Sequence, residues 1–189
     1  MTDPVPDLGA YRATNFTRGR PALVEALWIF VQAIFVSSFL PGSAHRRFLL
    51  RLFGATIGAG VALKPGIRVK FPWRLTIGDH SWIGEDAWID NLAPVTIGTN
   101  CCVSQGAYLC TGSHDWSAPG FDLITRPIVM EPGSWVAARA TVGPGVTLGR
   151  GSVLGMGSVA AHDLDPWTVY SGLPAQPLRR RAIRTEESE

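Results

Sequence analysis

The segment TGSHDW, Thr111 to Trp116, sets one histidine among small and turn-forming residues. An imidazole titrates near neutral pH, so it can take the proton of a hydroxyl while that oxygen attacks an acyl carbon. His114 is a candidate for such a base, although on its own a solvent-exposed loop histidine would look the same. Asp115 follows it directly, and adjacent side chains tend to point apart, so Asp115 is not expected to orient the ring; a backbone carbonyl is the alternative. No catalytic metal is expected. The histidines are His45, His80, His114 and His162, and no second one follows His114 within the loop, whereas a zinc site built on imidazoles needs three that converge. Cys101, Cys102 and Cys110 form no CxxC pair and suit a reducing compartment better than a disulfide framework. The GPG at 143–145 is turn chemistry, since a phosphate-binding loop would need the Lys-Ser/Thr that is missing.

What must position His114 is written as a rhythm. From Ile57 the chain reads IGAGVA, LKPGIR, VKFPWR, then after two residues IGDHSW, IGEDAW, IDNLAP, and after two more IGTNCC, VSQGAY, LCTGSH. It resumes as MEPGSW, VAARAT, VGPGVT, LGRGSV, LGMGSV. The first place of each hexad is aliphatic or Met, and the fifth is usually small or β-branched, as in Val61, Ser81, Ala87, Ala107 and Ala140. A period of six is neither that of a helix nor that of an ordinary strand. It fits a short strand and a turn repeated three times per coil, in a triangular parallel β-helix with coils stacked at roughly 4.8 Å. The break at 111–129 then reads as a loop leaving the prism, and loops on rigid scaffolds carry chemistry. Trp88, Asp90, Asn91 and Trp116 lie near that loop in sequence or one coil below it. Aromatic faces and polar groups of this kind are what a sugar acceptor requires, although solvated surface residues look the same.

The hexads resemble those of the hexapeptide-repeat acyltransferases, whose prism is a left-handed β-helix, over about residues 55–180. YLCTGSHD is similar to the catalytic-histidine loop of the galactoside, maltose and serine O-acetyltransferase branch, and SWVAARATVGPGVTLGRGSVLGMGSVAAHDL to its acetyl-CoA coils. VYSGLPAQPLR resembles the closing segment of that branch, while RRFLLRLFGATIG and FPWRLTIGDHSWIG resemble the colanic-acid-type polysaccharide acetyltransferases. The resemblance implies a homotrimer with His114 in a cleft between subunits and acetyl-CoA as co-substrate in the groove between prisms. Trp135, Ala138, Met156 and Ala161 match its cofactor contacts, and Arg179 and Arg180 match groups that would meet the ADP phosphates. Ala138 stands where relatives stabilise the oxyanion, and only its backbone N–H could serve. An Asn and an Asp of the relatives align with Gly84 and Leu92, so recognition of a simple galactoside or maltose in the family's manner is not expected.

The resulting expectation is an acetyl-CoA-dependent O-acetyltransferase acting on a sugar hydroxyl of a surface polysaccharide or related glycan, free or lipid-linked. An N-acetyltransferase on an amino sugar and a non-catalytic scaffold remain as alternatives. The γ-class carbonic anhydrases share the repeat but need the imidazole set that is missing here.

The fold is expected to be mainly β: an N-terminal arm with apolar and basic helices over 1–54, the β-helix over 55–172, and a C-terminal tail or helix over 173–189. A net charge of +2 gives no reason to expect nucleic acid as a partner. The N-terminus lacks the apolar core of a signal peptide, which points to the cytoplasm. PALVEALWIFVQAIFVSSFLPG, residues 21–42, is apolar on nearly every side, with Leu23, Leu27, Phe30, Val31 and Ile34 along one helical face. Three readings stay open for it: packing on the prism or a sister subunit, lying on a membrane surface with HRRFLLR beside it through residues 22–51, or spanning, which Glu25 and Gln32 oppose.

Overall fold

The computed structural model describes residues 5–11 and 16–184. From Thr56 the chain winds through six coils of a parallel β-solenoid, as expected for the left-handed β-helix. Three flat sheets form its walls. The first stacks Thr56–Ile57, Leu75–Ile77, Val95–Ile97, Ile128–Met130 and Thr147–Leu148. The second stacks Ala62–Leu63, Trp82–Ile83, Cys102–Val103, Trp135–Val136, Val153–Leu154 and Thr168–Gly172, and the third runs from Arg68–Val69 through Trp88–Asp90, Tyr108–Cys110 and Thr141–Val142 to Val159–Ala160.

Register explains the hexad. Ile57, Ile77, Ile97, Met130 and Leu148 lie directly above one another, and all are buried. Leu63, Ile83, Val103, Val136 and Leu154 make the second such column, and Val69, Ile89, Leu109, Val142 and Ala160 the third. Three aliphatic columns converging on one axis form a continuous core, which is the main apolar burial in the molecule. The fifth place turns inward where the wall bends. Ser81 is fully buried there because its hydroxyl donates to Gly98 O (2.7 Å) and accepts from Cys101 N (3.0 Å). Tight bends also require left-handed backbone: Gly151 has φ +66°, and a Cβ there would lie 2.7 Å from the Trp167 ring.

The first coil would leave a row of unpaired strand groups at the base of the prism, and helices cover it. Helix α1 (Ala22–Val31) continues as a π-helical turn (Gln32–Val36), and α2 (Ala44–Leu52) follows. Their polar side chains satisfy the free edge. Trp28 Nε1 donates to Val69 O (2.8 Å), while Gln32 Oε1 accepts from Val69 N (2.6 Å). Ser43 Oγ bridges Leu63 N and O, and Arg47 and Arg51 donate to Val61 O and Ile57 O. Arg46 is wholly buried, donating to the carbonyls of Val36, Ser38 and Gly42; burial lowers its pKa below the usual guanidinium value. The side of α1 that packs on the prism therefore carries Trp28, with Val36 buried in the turn beyond it. Leu23, Leu27, Phe30 and Ile34, which make one face in sequence, are exposed. Among the described residues no helix is long and apolar enough to cross a membrane.

At the other end the chain closes with a strand, where the sequence offered a tail or a helix. Ala175–Arg180 runs antiparallel to Thr168–Gly172, and Arg181 clips it to the carbonyls of Gly133 and Gly151.

Candidate active site

The chain leaves the prism after Thr111 and is back in the first wall by Ile128, so the excursion starts from the edge joining the third wall to the first. Thr111 anchors the exit: its hydroxyl donates to Asp90 O and accepts from Ala93 N. Beyond it Gly112–His114 pairs antiparallel with Leu123–Thr125. A Cβ on Gly112 would lie 2.6 Å from Leu92 Cδ1, so the loop root rests on Leu92.

His114 is half-buried, and its Nδ1 lies 2.8 Å from Phe121 O. A carbonyl oxygen only accepts, so Nδ1 carries a proton, and in the neutral ring the lone pair is on Nε2. This is the tautomer a general base needs, and a backbone carbonyl fixes it. The Phe121 ring stacks on the imidazole at 4.4 Å and 7°. Phe121 itself has φ 50°, a strained conformation for a bulky residue, worth about 1–3 kcal/mol. Asp115 turns elsewhere: Oδ1 accepts from Ser117 N and Oγ, and these bonds hold its carboxyl below the usual range.

The second wall presents a different surface. Trp82, Cys102 and Trp135 stack in one outward column, with Trp82 62% and Trp135 40% exposed. Trp135 Nε1 donates to Ser104 Oγ (2.8 Å). Around Trp82 and Cys102 lies a depression of about 430 Å³, lined also by Lys64, Gly84, Glu85 and Ser104 among others. Ala138 and Met156 occupy the adjoining edge one coil apart, where Gly157 N donates to Ala138 O; Met156 is 77% exposed. Arg179 pairs with Val169 and Arg180 with Thr168 on the last strand of the same sheet. Trp135, Ala138, Met156, Arg179 and Arg180 thus share the second wall and its edge. Ala161 does not: it lies on the edge that bears the His114 loop, in a cleft of about 390 Å³ with Arg126, Pro144 and His162.

The acceptor residues named from sequence fall into three groups. Trp88 and Asp90 belong to the third wall: Trp88 stacks on Tyr108 at 4.5 Å beneath Arg68, and Asp90 accepts from Tyr108 OH and pairs with Lys70 at 3.3 Å. Trp116 stands 81% exposed near the tip of the loop. Asn91 requires correction. It is fully buried, and its amide accepts from Phe71 N and donates to Phe71 O, so it holds the wall and offers a sugar nothing. Sequence reasoning missed Trp82. The signal was there, since SWIG and SWVA place Trp82 and Trp135 at the same outward hexad position. Gly84 also has a steric reason: a Cβ there would meet Gln105 N at 2.5 Å and Ser104 C at 2.7 Å. Among the described residues no group of three His, Cys, Asp or Glu is placed to hold a metal ion.

A hexapeptide prism with a protruding histidine loop defines a class of acyl-transferring enzyme, and comparison with known proteins agrees. The hexapeptide-repeat model of succinyl-transferases matches residues 74–110 and 136–159. The chain is 41% identical over 181 residues to the Escherichia coli protein named "Putative colanic acid biosynthesis acetyltransferase WcaF", covering 95% of this chain and 99% of that one. It belongs to the hexapeptide-repeat acetyltransferase family. Among solved structures, the Vibrio cholerae hexapeptide-repeat acetyltransferase VCA0836 superposes with a TM-score of 0.77 at 27% identity, over 85% of this chain and 92% of that one. Its complex with acetyl coenzyme A has the same fold, with a TM-score of 0.80 at 24% identity over 92% of this chain and 97% of that one.

Proposed function

We propose that the protein is an acetyl-CoA-dependent O-acetyltransferase that acts on a sugar hydroxyl of a surface polysaccharide or glycan intermediate, with His114 as general base. The observation that carries this reading is the imidazole held by Phe121 O as the Nδ1–H tautomer on a loop outside the prism. Nε2 takes the proton of the acceptor hydroxyl as its oxygen attacks the thioester carbonyl; the imidazolium then returns it to the departing sulfur. The Ala138 N–H is the donor for the oxyanion, without help from a side-chain hydroxyl. Trp135 and Met156 would flank the pantetheine, and Arg179 and Arg180 would meet the phosphates.

Topology supports a site shared between chains. In a triangular prism the edge that bears His114 is opposite the second wall, where the proposed cofactor residues lie. A homotrimer would set the histidine edge of one protomer against the second wall of the next and bring Ala161 to the same groove. The acceptor would then meet Trp82 and Trp116. Gly84 and Leu92 make its pocket unlike that of a galactoside or maltose site.

The base of the prism supports contact with a membrane through residues 22–51. The helices and the segment joining them expose Leu23, Phe30, Phe39, Phe48 and Leu52, and between residues 16 and 74 nine Lys and Arg, the buried Arg46 among them, meet one Glu. This suits an anionic leaflet on the cytoplasmic side and a lipid-linked acceptor.

The direct test follows thiol release from acetyl-CoA against a panel of monosaccharides, amino sugars and lipid-linked oligosaccharides. The proposal expects turnover with a hydroxyl acceptor that His114→Ala abolishes. Turnover confined to amino sugars, or undiminished in His114→Ala, would refute it.

A further inference from the structure

His114 is gripped from more than one side, and one of the groups comes from far away in sequence. Phe121 supplies both a carbonyl at 2.8 Å from Nδ1 and a ring stacked at 4.4 Å. Tyr11, on the N-terminal arm, meets the imidazole edge-on at 5.8 Å and 61°. The arm is tied to the loop independently, by Asp7 N donating to Pro119 O at 3.0 Å. Ahead of Tyr11 a 3-10 turn, Leu8–Ala10, is capped by the Asp7 carboxylate accepting from Gly9 N.

The backbone of Phe121 makes this arrangement informative. At φ 50° a glycine would be unstrained, and asparagine nearly so. Strain of this kind persists where surrounding contacts over-determine it, and it gathers at functional sites. Here the left-handed turn presents one residue's carbonyl and ring to the same imidazole. A glycine could give the carbonyl but not the ring.

We propose that Phe121 and Tyr11 are positioning residues that clamp the His114 ring as its Nδ1–H tautomer, so that the N-terminal arm is part of the active site. Neither residue touches the reacting atoms; both act through the imidazole. The inference rests on reading His114 as the base, and its test separates the two ideas.

The test uses the full chain labelled with 15N-histidine, with the His114 signals identified by their loss in His114→Ala. In alkaline buffer, where imidazoles are neutral, the wild type should show His114 as Nδ1–H. Phe121→Leu and Tyr11→Leu should show mixed tautomers, while Phe121→Tyr and Tyr11→Phe should keep the wild-type pattern. In the transfer assay Phe121→Leu should lower kcat by roughly tenfold to a hundredfold with the KM for acetyl-CoA unchanged. Phe121→Gly should lose as much rate without a matching fall in Tm, because it relieves the backbone while removing the ring. Unchanged tautomer and kcat in the two Leu variants would overturn the clamp, as would losses of kcat that simply follow Tm. An active His114→Ala would remove the base and leave the tautomer spectra to decide the clamp.

Discussion

The capacity of His114 to act as a base depends on where its one proton sits, and Phe121 O fixes that. His114→Ala should lower kcat by roughly 10²- to 10⁴-fold with acetyl-CoA affinity retained, measured by thiol release and by calorimetric titration. Asp115→Asn should stay within a few-fold of wild type, because that carboxylate serves Ser117 and not the imidazole. Tyr108 gives a pH signature. Burial, with Cys110 and Asp90 adding to it, pushes its phenol well above the ordinary value. In the unfolded chain the phenol ionises near pH ~10, so above that pH the unfolded state holds fewer protons and stability falls. Denaturant unfolding between neutral pH and pH ~11 should show a decline that is shallower in Tyr108→Phe. The candidate histidine stood out in the sequence because it interrupts a strict repeat. Asn91 was misread because the two-residue insertions that close the first two coils shift the phase just where the wall bends, so inward and outward cannot be told from spacing alone.

At the scale of elements, the six-residue period reflects stereochemistry directly: one inward aliphatic residue and one bend per wall. That is why the prism was legible from Ile57 to Ser158. The helical cap was not, because α1 is apolar all round and its inner side is chosen by hydrogen bonds. Trp28 Nε1 and Gln32 Oε1 close on Val69, a partner about forty positions away that no local pattern announces. Trp28→Ala should cost about 3–5 kcal/mol in urea unfolding, from lost packing and an uncovered strand edge. The closing strand Ala175–Arg180 was equally hidden, since its form depends on pairing with Thr168–Gly172. Gly84→Asn should destabilise by about 1–3 kcal/mol in urea unfolding, because backbone of the next coil occupies the space.

Across the whole molecule, the proposed chemistry and the proposed anchoring would use different regions: a histidine edge, an opposite tryptophan-bearing wall, and a basic apolar base. If the base rests on lipid, wild type should float with vesicles rich in anionic lipid, and a variant with Phe30, Phe39, Phe48 and Leu52 changed to Ser should remain at the bottom while still folded. Wild type that ignores such vesicles would exclude the membrane reading. The central claim is that His114 of one protomer works on the second wall of another. Its most direct measurement is complementation between two inactive variants, His114→Ala and the groove-blocking Ala138→Trp, each assayed alone and after mixing through refolding. A shared site predicts that the mixture recovers about a quarter of wild-type turnover, one competent site in each mixed trimer. A mixture as inactive as its parts would show that a single chain must supply both surfaces, and would contradict the account.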